Sequence, residues 1–490
     1  MPKDLEPTRK SPKPNPESSS PEPGSNRAGY PSVAQRRAAG RAARKAAPRA
    51  AHSVVPLPEA SRDPVALLQE QEPSRVAELL PIRYGRMSAS PFAFFRGAAL
   101  VMASDLAATP TSGLRVQLCG DAHLANFGAY GSPERALVFD LNDFDETLPG
   151  PWEWDVKRMA ASFEIAGRHR GFSAKERARV QRELIRHYRE SMTSFASMTE
   201  LEVWYLRLDI ESAFKELRGS MAKQQVRRTS DILARAKAHD SMQAYAKLVR
   251  DVDGEPRIID APPLVVPIDK LFAGEERDAL LEHLRGLIRG YRQTLTSDRR
   301  HLLEQFHLVD MGRKVVGVGS VGTRAFIALF LGRDGDDPLF LQMKEAQASV
   351  LERFLGKSGI KNAGQRVVNG QRLMQATTDI FLGWKHVTGH DGVERDFYIR
   401  QLRDWKGSAD LERIVPPGME LYSRLCGWTL ARAHARSGDR IAISSYLGSS
   451  DAFDVAVGEF ARAYADQNES DFALMQKAIA DGRVKATSGV

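Results

Sequence analysis

Cysteine is nearly absent from this chain, whose 490 residues include only Cys119 and Cys426. Two cysteines so far apart exclude a disulfide framework, suggest no zinc site and suit a reducing cytoplasm. Long apolar runs are missing as well. The longest uninterrupted one, Ala325 to Leu331, falls far short of the roughly 20 residues of a membrane span. The N-terminus lacks the apolar core of a secretory signal. These absences predict a cytoplasmic protein without a membrane span. No internal repeat is evident.

A surplus of one charge sign is missing from most of the chain. Residues 1–52 carry a net +7, from eleven basic and four acidic side chains, out of +8 for the whole. This segment mixes Pro, Ser and Lys and continues through a run from Gln35 to Arg49. It is too poor in apolar residues to repay the entropy of ordering, which predicts a disordered basic tail over 1–52. Such a tail suits weak, nonspecific association with an anionic partner through counterion release, or serves only as a solubilising extension. The rest, in a chain that is 42% hydrophobic, can bury at least one large core, and two lobes are expected.

What is present is chemistry of oxygen and phosphate. The segment Cys119-Gly-Asp-Ala-His-Leu-Ala-Asn126 is followed by Phe139-Asp-Leu-Asn-Asp-Phe-Asp-Glu146, with four acids within seven residues. In a kinase catalytic loop an aspartate accepts a hydroxyl proton, an asparagine five positions later holds magnesium, and a further aspartate completes the metal site. Asp121 and Asn126 keep that spacing. Asp121 and His123 are therefore the catalytic candidates, and Asn126 and Asp143 the candidate ligands for Mg2+, which takes hard oxygen donors. The bland alternative is an ordinary turn followed by a solvated acidic hairpin.

A second signal lies about two hundred residues downstream. Gly317, Gly319 and Gly322 have the G-x-G-x-x-G spacing, with Ser320 between them. Such a match is weak until its context is known. Here Ala325 to Leu331 reads as a strand, although periodicity does not separate it from a helix, Arg333 to Asp337 as a turn, and Leu339 to Lys344 as a third strand. That order suits a kinase-type loop covering the phosphates of ATP, with Lys344 anchoring them, better than a dinucleotide fold. The glycine loop follows the catalytic loop instead of preceding it, so the order implies a circular permutation. The stretch Tyr422 to Arg436, closed by Gly438, resembles the helix that precedes the catalytic loop in small-molecule kinases, with His434 structural.

These blocks, together with Met87 to Gly97, Trp152 to Arg158, Gln342 to Ala346 and Tyr398 to Leu402, resemble the bacterial family catalogued as domain of unknown function 2252. A weaker resemblance links them to aminoglycoside and choline-type phosphotransferases. Cys119 stands where those have a histidine, and Asn126 falls one position early. The resemblance implies that Asp155 braces the catalytic loop, where helix capping is the simpler reading, and that Tyr398 to Leu402 is the strand and hinge beside an adenine. Glu352, or no residue, would pair with Lys344. Arg96, in an apolar setting upstream of the loop, would bind phosphate or pair with one of the acids, and a buried ion pair is the expectation of the two.

The expected fold is α+β, helix-rich, and two-lobed like a protein kinase in circularly permuted order. It divides into the tail 1–52, a catalytic-loop segment with a helical lobe over 53–300, a sheet-containing nucleotide lobe over 301–415, and C-terminal helices over 416–490 that pack back on the helical lobe. Helices are predicted at Asp155 to Arg168, Ser173 to Met198, Thr229 to Val249 and Glu275 to Thr294, with Trp204, Tyr205 and Phe214 as core aromatics. The function this supports is an ATP- and Mg2+-dependent phosphotransferase of unknown acceptor, and the same ligands would serve nucleotidyl transfer. Two rivals stand beside it: a non-catalytic nucleotide-binding scaffold, and a metal-dependent hydrolase using Asp121, His123 and the acids from Asp140 to Asp145.

Overall fold

In the computed structural model the described residues are 30–489, apart from 57–61, 218–226, 228–229, 231–233, 235, 239, 272–273, 316, 390, 403–404 and 406. Helix and sheet are segregated, and the class is α+β. A six-stranded antiparallel sheet runs in the order Gly383–Thr388, Glu394–Gln401, Pro338–Ala346, Ala325–Leu331, His307–Lys314, Val265–Pro267. Ala325–Leu331 is a strand buried along its whole length. Phe326, Ala328 and Phe330 enter one apolar cluster, whereas Ile327, Leu329 and Leu331 enter another on the opposite face. A strand covered on both sides has no polar face to alternate with, which is why its period is invisible in the sequence.

Helices cover that sheet. The helix Gly274–Arg292 supplies Leu284, Leu287, Ile288 and Tyr291 to the first cluster, and Leu248 of Ser241–Leu248 joins the second. Both were expected in the helical lobe, and Val265–Pro267, also from the 53–300 segment, extends the sheet. An amphipathic pattern reveals that a helix has an apolar face, not which surface receives it. Of the predicted helix from Thr229 to Val249, Ser241–Leu248 is helical and Val249 already opens a strand, while 229, 231–233, 235 and 239 lie outside the described residues.

The helix-rich side holds the largest core. Trp152–His169, Ala174–Phe195, Pro416–Ser437 and Ala452–Ala480 pack around Trp152, Met159, Tyr188 and Leu430, directly beneath Leu118, Cys119 and Leu124. Their ends follow local rules. Ser173 and Glu176 form a capping box at the start of Ala174–Phe195, and Pro416 opens Pro416–Ser437 at a position where its missing N–H costs nothing. The catalytic-loop segment joins the strand Arg115–Leu118, paired with Leu148–Pro151, to a hairpin of Phe127–Gly131 and Leu137–Leu141.

The predicted disorder of 1–52 is overturned for its second half, while residues 1–29 lie outside the described residues. Val33–Ala46 is a helix with a capping box at Ser32 and Gln35, followed by a 3-10 turn over Arg49–Ser53. It docks on the helix Arg440–Leu447 through Gly40, where a Cβ would stand 2.1 Å from the Ala442 carbonyl oxygen. Arg36 binds Asp439 at 2.9 Å, Arg44 donates to the Tyr446 carbonyl at 2.8 Å, and His52 meets the Tyr446 hydroxyl at 2.6 Å. Three basic side chains read as tail charge therefore serve as docking groups, since Arg49 donates to Leu447 as well. Composition missed this because few apolar groups are involved: the partners are carbonyl oxygens at a distant helix end. Trp204 and Tyr205 are not core residues either, being 45% and 73% exposed. The side chain of Phe214 lies outside the described residues.

Candidate functional site

The segment Cys119 to Asn126 is held from several sides. The Asp155 carboxylate accepts from the backbone N–H groups of Cys119 at 2.8 Å and Gly120 at 3.0 Å, so it braces the loop instead of capping its own helix. His434, fully buried, lies 3.3 Å from the same carboxylate and 2.8 Å from the Tyr188 hydroxyl. Gly120 adopts φ +85°, and a Cβ there would stand 2.3 Å from the Glu146 carbonyl oxygen, so glycine is required twice over. Ser162 accepts from Leu124 N–H at 2.9 Å, and the Tyr422 hydroxyl reaches the Leu124 and Phe127 carbonyls. Asn126 donates through Nδ2 to the Asp121 carbonyl at 2.7 Å, which leaves its amide oxygen available.

Asp121 has a partner the sequence reading missed. Arg158 binds its Oδ1 at 2.8 Å and also donates to the Phe95 carbonyl at 2.7 Å. Four residues from Trp154, in a block quoted for resemblance alone, Arg158 offered no local signal of this contact. Burial still raises the Asp121 pKa against the pull of Arg158. His123 is buried, with Nε2 3.7 Å from Asp121 Oδ2. Burial first, then Arg96 and Arg158, hold its pKa well below the usual range, so the imidazole is neutral.

The acidic segment divides by direction. Asp140 is buried against Arg432 and accepts from Leu141 N–H and Ala376 N–H, both at 2.9 Å, so it is structural. Asp143 and Asp145 face a cleft of about 1600 Å³ between the helical side and the sheet. Asp145 is the knot of the site. It is ion-paired with Lys344, accepts from the Tyr398 hydroxyl at 2.9 Å, and lies 3.3 Å from Ser320 Oγ of the glycine loop. Lys344 thus pairs with Asp145, not with Glu352. Lys344 and Tyr398 are cross-strand partners, while Glu345 turns to the other face and meets Arg324 at 3.3 Å.

Charge is uneven across this knot. Burial alone would raise the Asp145 pKa, but Lys344 overrides it and holds it low; the same pair holds Lys344 above its usual range despite burial. Asp143 makes no ion pair among the described residues, and burial together with the Asp145 charge raises its pKa against the pull of Lys344 and Arg400. Glu146 behind them is pushed up to about 7 by burial. From the helix Ala363–Met374, Arg366 ties the segment down by donating to the Asp145 and Thr147 carbonyls.

Asp121, His123, Asn126, Asp143, Gly317, Gly319, Ser320 and Lys344 all line the cleft, although the two motifs are distant in sequence. Gly322 does not. Its carbonyl accepts from Val76 N–H at 2.7 Å, and its α-carbon faces Arg75, which ties the end of the loop to the helical side. Arg96 lines the cleft without the expected ion pair. Among the described residues, no group of three or more His, Cys, Asp and Glu is arranged to hold a metal, and no helix is long and apolar enough to cross a membrane.

A family described as uncharacterized protein conserved in bacteria (DUF2252) matches residues 75–478, and the chain belongs to it. No curated protein and no solved structure matches the chain.

Proposed function

We propose that this member of the DUF2252 family is an ATP- and magnesium-dependent phosphotransferase of kinase-like architecture with its parts in permuted order. The single observation that carries the reading is the convergence on Asp145 of the lysine strand and the glycine loop, opposite Asp121 and Asn126. The connectivity supports it. The glycine loop joins the strands His307–Lys314 and Ala325–Leu331, Lys344 lies on the third strand, and a helix follows before two further strands, as in a kinase small lobe.

The donor set fits magnesium. Asn126 keeps a free amide oxygen, and Asp143, with one oxygen 3.2 Å from Asp145 N–H, keeps the other. A buried carboxylate with a raised pKa beside another acid is short of positive charge. The ion, when bound, would neutralise phosphate oxygens whose remaining charge Lys344 meets. Asp121 takes the proton of the acceptor hydroxyl as its oxygen bonds to the terminal phosphorus; the bond to the bridging oxygen breaks, and its electron pair leaves with ADP. A loose transition state asks for position more than basicity, which suits a carboxylate steadied by Arg158.

One observation favours a second reading, the non-catalytic nucleotide-binding scaffold: Asp121 already carries a guanidinium partner. The hydrolase reading is weaker, because Asp140 and Asp145 are held by Arg432 and Lys344. The test is thermal stability with Mg2+ and ATP, beside Lys344→Met and Asp143→Ala. A ligand at about a hundred times its dissociation constant adds about 2.7 kcal/mol. A wild-type shift that both variants lose, with ADP formed in the presence of a hydroxyl acceptor, supports the transferase. A shift without turnover, equally present in Asp121→Asn, supports the scaffold; no shift with any nucleotide removes both.

A further inference from the structure

Two arginines flank Asp121, and only one of them is used. Arg158 is committed to Asp121 and to the Phe95 carbonyl. Arg96 ends the short helix Pro91–Gly97, which Ser90 caps by accepting from Ala93 N–H. Among the described residues its guanidinium forms neither a hydrogen bond nor an ion pair, and its Nε is buried without a partner. Its surroundings make this unusual. The charges acting on it are those of Asp121, Asp143 and, more distantly, Glu412. A side chain with five donors, lining the same cleft as two carboxylates yet bonded to neither, is a preformed cradle for an anion that enters there.

Position narrows the anion. The Arg96 carbonyl lies 3.2 Å from where a Cβ of Gly319 would stand, so the residue sits against the middle of the glycine loop. Arg96 also lines both the main cleft and an adjoining cavity of about 500 Å³, whose wall includes Ser90, His169 and Glu412. The junction of the two spaces is therefore marked by a planar cation, with Asp121 on the cleft side.

We infer that Arg96 is a catalytic residue that grips the terminal phosphate of the nucleotide at this junction, with the acceptor hydroxyl entering from the 500 Å³ cavity. The inference rests on the phosphotransferase reading of the cleft. A guanidinium matches two phosphate oxygens at once, and it neutralises the charge that spreads over them as the phosphoryl group moves from the bridging oxygen to the acceptor. Lys344 and the metal ligands then serve the nucleotide as a whole, and Arg96 serves the group that is transferred.

The experiment compares ATP and ADP binding, each with Mg2+, by calorimetry on the full chain, in wild type, Arg96→Ala and Arg96→Lys. The expected result is an ATP affinity at least about tenfold weaker in Arg96→Ala with ADP affinity unchanged, because one charge-assisted contact is lost to a group that ADP does not have. Arg96→Lys recovers part of the loss, since it keeps the charge but not the fork. Both variants should melt within a degree or two of wild type without nucleotide, because Arg96 leaves no hydrogen-bond or ion-pair partner behind, only the Phe92 ring 6.0 Å from its guanidinium carbon. Equal weakening of ATP and ADP, or no weakening of either, overturns the assignment of Arg96 while leaving the nucleotide cleft standing. Absence of binding of both nucleotides to the wild type overturns the cleft reading itself, and this inference with it. If Arg96→Ala does not fold, Arg96→Lys carries the test through the same ATP-to-ADP ratio.

Discussion

The two walls of the cleft are held in different ways. On the helical side the segment from Cys119 to Phe127 is tied by Asp155, Ser162 and Tyr422, all from helices that share the largest core. On the sheet side the glycine loop is tied at its far end, through Arg75 and Val76, and among the described residues it touches the acids through Ser320. The contrast teaches that Asp121 and Asn126 are positioned by satisfied backbone N–H groups deep in one lobe, whereas Lys344 and Ser320 are held by charge and hydrogen bonding across the gap. Changes on the first wall should therefore act through folding, and changes on the second through ligand binding.

The largest break expected is Asp155→Ala. It leaves two buried N–H groups unpaired and should cost about 3 kcal/mol in urea denaturation, with nucleotide binding lost along with the loop. A cost under about 1 kcal/mol would show that the loop is held by packing alone. Lys344→Met is the converse case. It should abolish the roughly 2.7 kcal/mol of stabilisation by near-saturating ATP while costing the unliganded protein less, because Asp145, deprived of its cation, still opens on the cleft and keeps Tyr398. Comparable losses with and without nucleotide would dissolve the distinction between the walls.

A third measurement sharpens it from outside the cleft. His52 of the docked N-terminal segment is fully buried, and burial, with help from Lys157, pushes its pKa down to about 3. The unfolded chain takes up this proton near pH 6.5 and the folded one near 3, so stability falls as pH drops below about 6.5, by roughly 2 kcal/mol at pH 5. Melts at pH 7 and 5 should show that slope reduced in His52→Gln. An unchanged slope would assign the acid sensitivity to other groups. The smallest effect belongs to Tyr205→Ser. At 73% exposure it should change stability by no more than about 0.5 kcal/mol, against the expectation for a core aromatic.

Legibility followed the range of the interactions. Spacing was enough to pick out Asp121, Asn126 and Asp143, the glycine loop and Lys344, because each motif is a local pattern of strand, turn and side-chain type. The helix from Trp152 to His169 and that from Pro416 to Ser437 were visible within a few residues for the same reason. Arg158 was overlooked as a partner of Asp121, and Glu352 was named for Lys344, because a side chain's partner across the fold leaves no mark in its neighbours. The basic run from Gln35 to Arg49 looked like solvated charge, since donors to a distant carboxylate and distant carbonyls have the composition of a tail.

By itself, then, the sequence determined the periodic helices, their caps, and the residue types that line the cleft. The tertiary structure alone decided that the helix Gly274–Arg292 covers the sheet, that Val33–Ala46 docks on Arg440–Leu447, and that Lys344 pairs with Asp145 and not with Asp143. Periodicity and capping involve neighbours a few residues apart. Which apolar faces meet, and which charges pair, depends on groups hundreds of residues apart that come together only when the chain has closed around both cores.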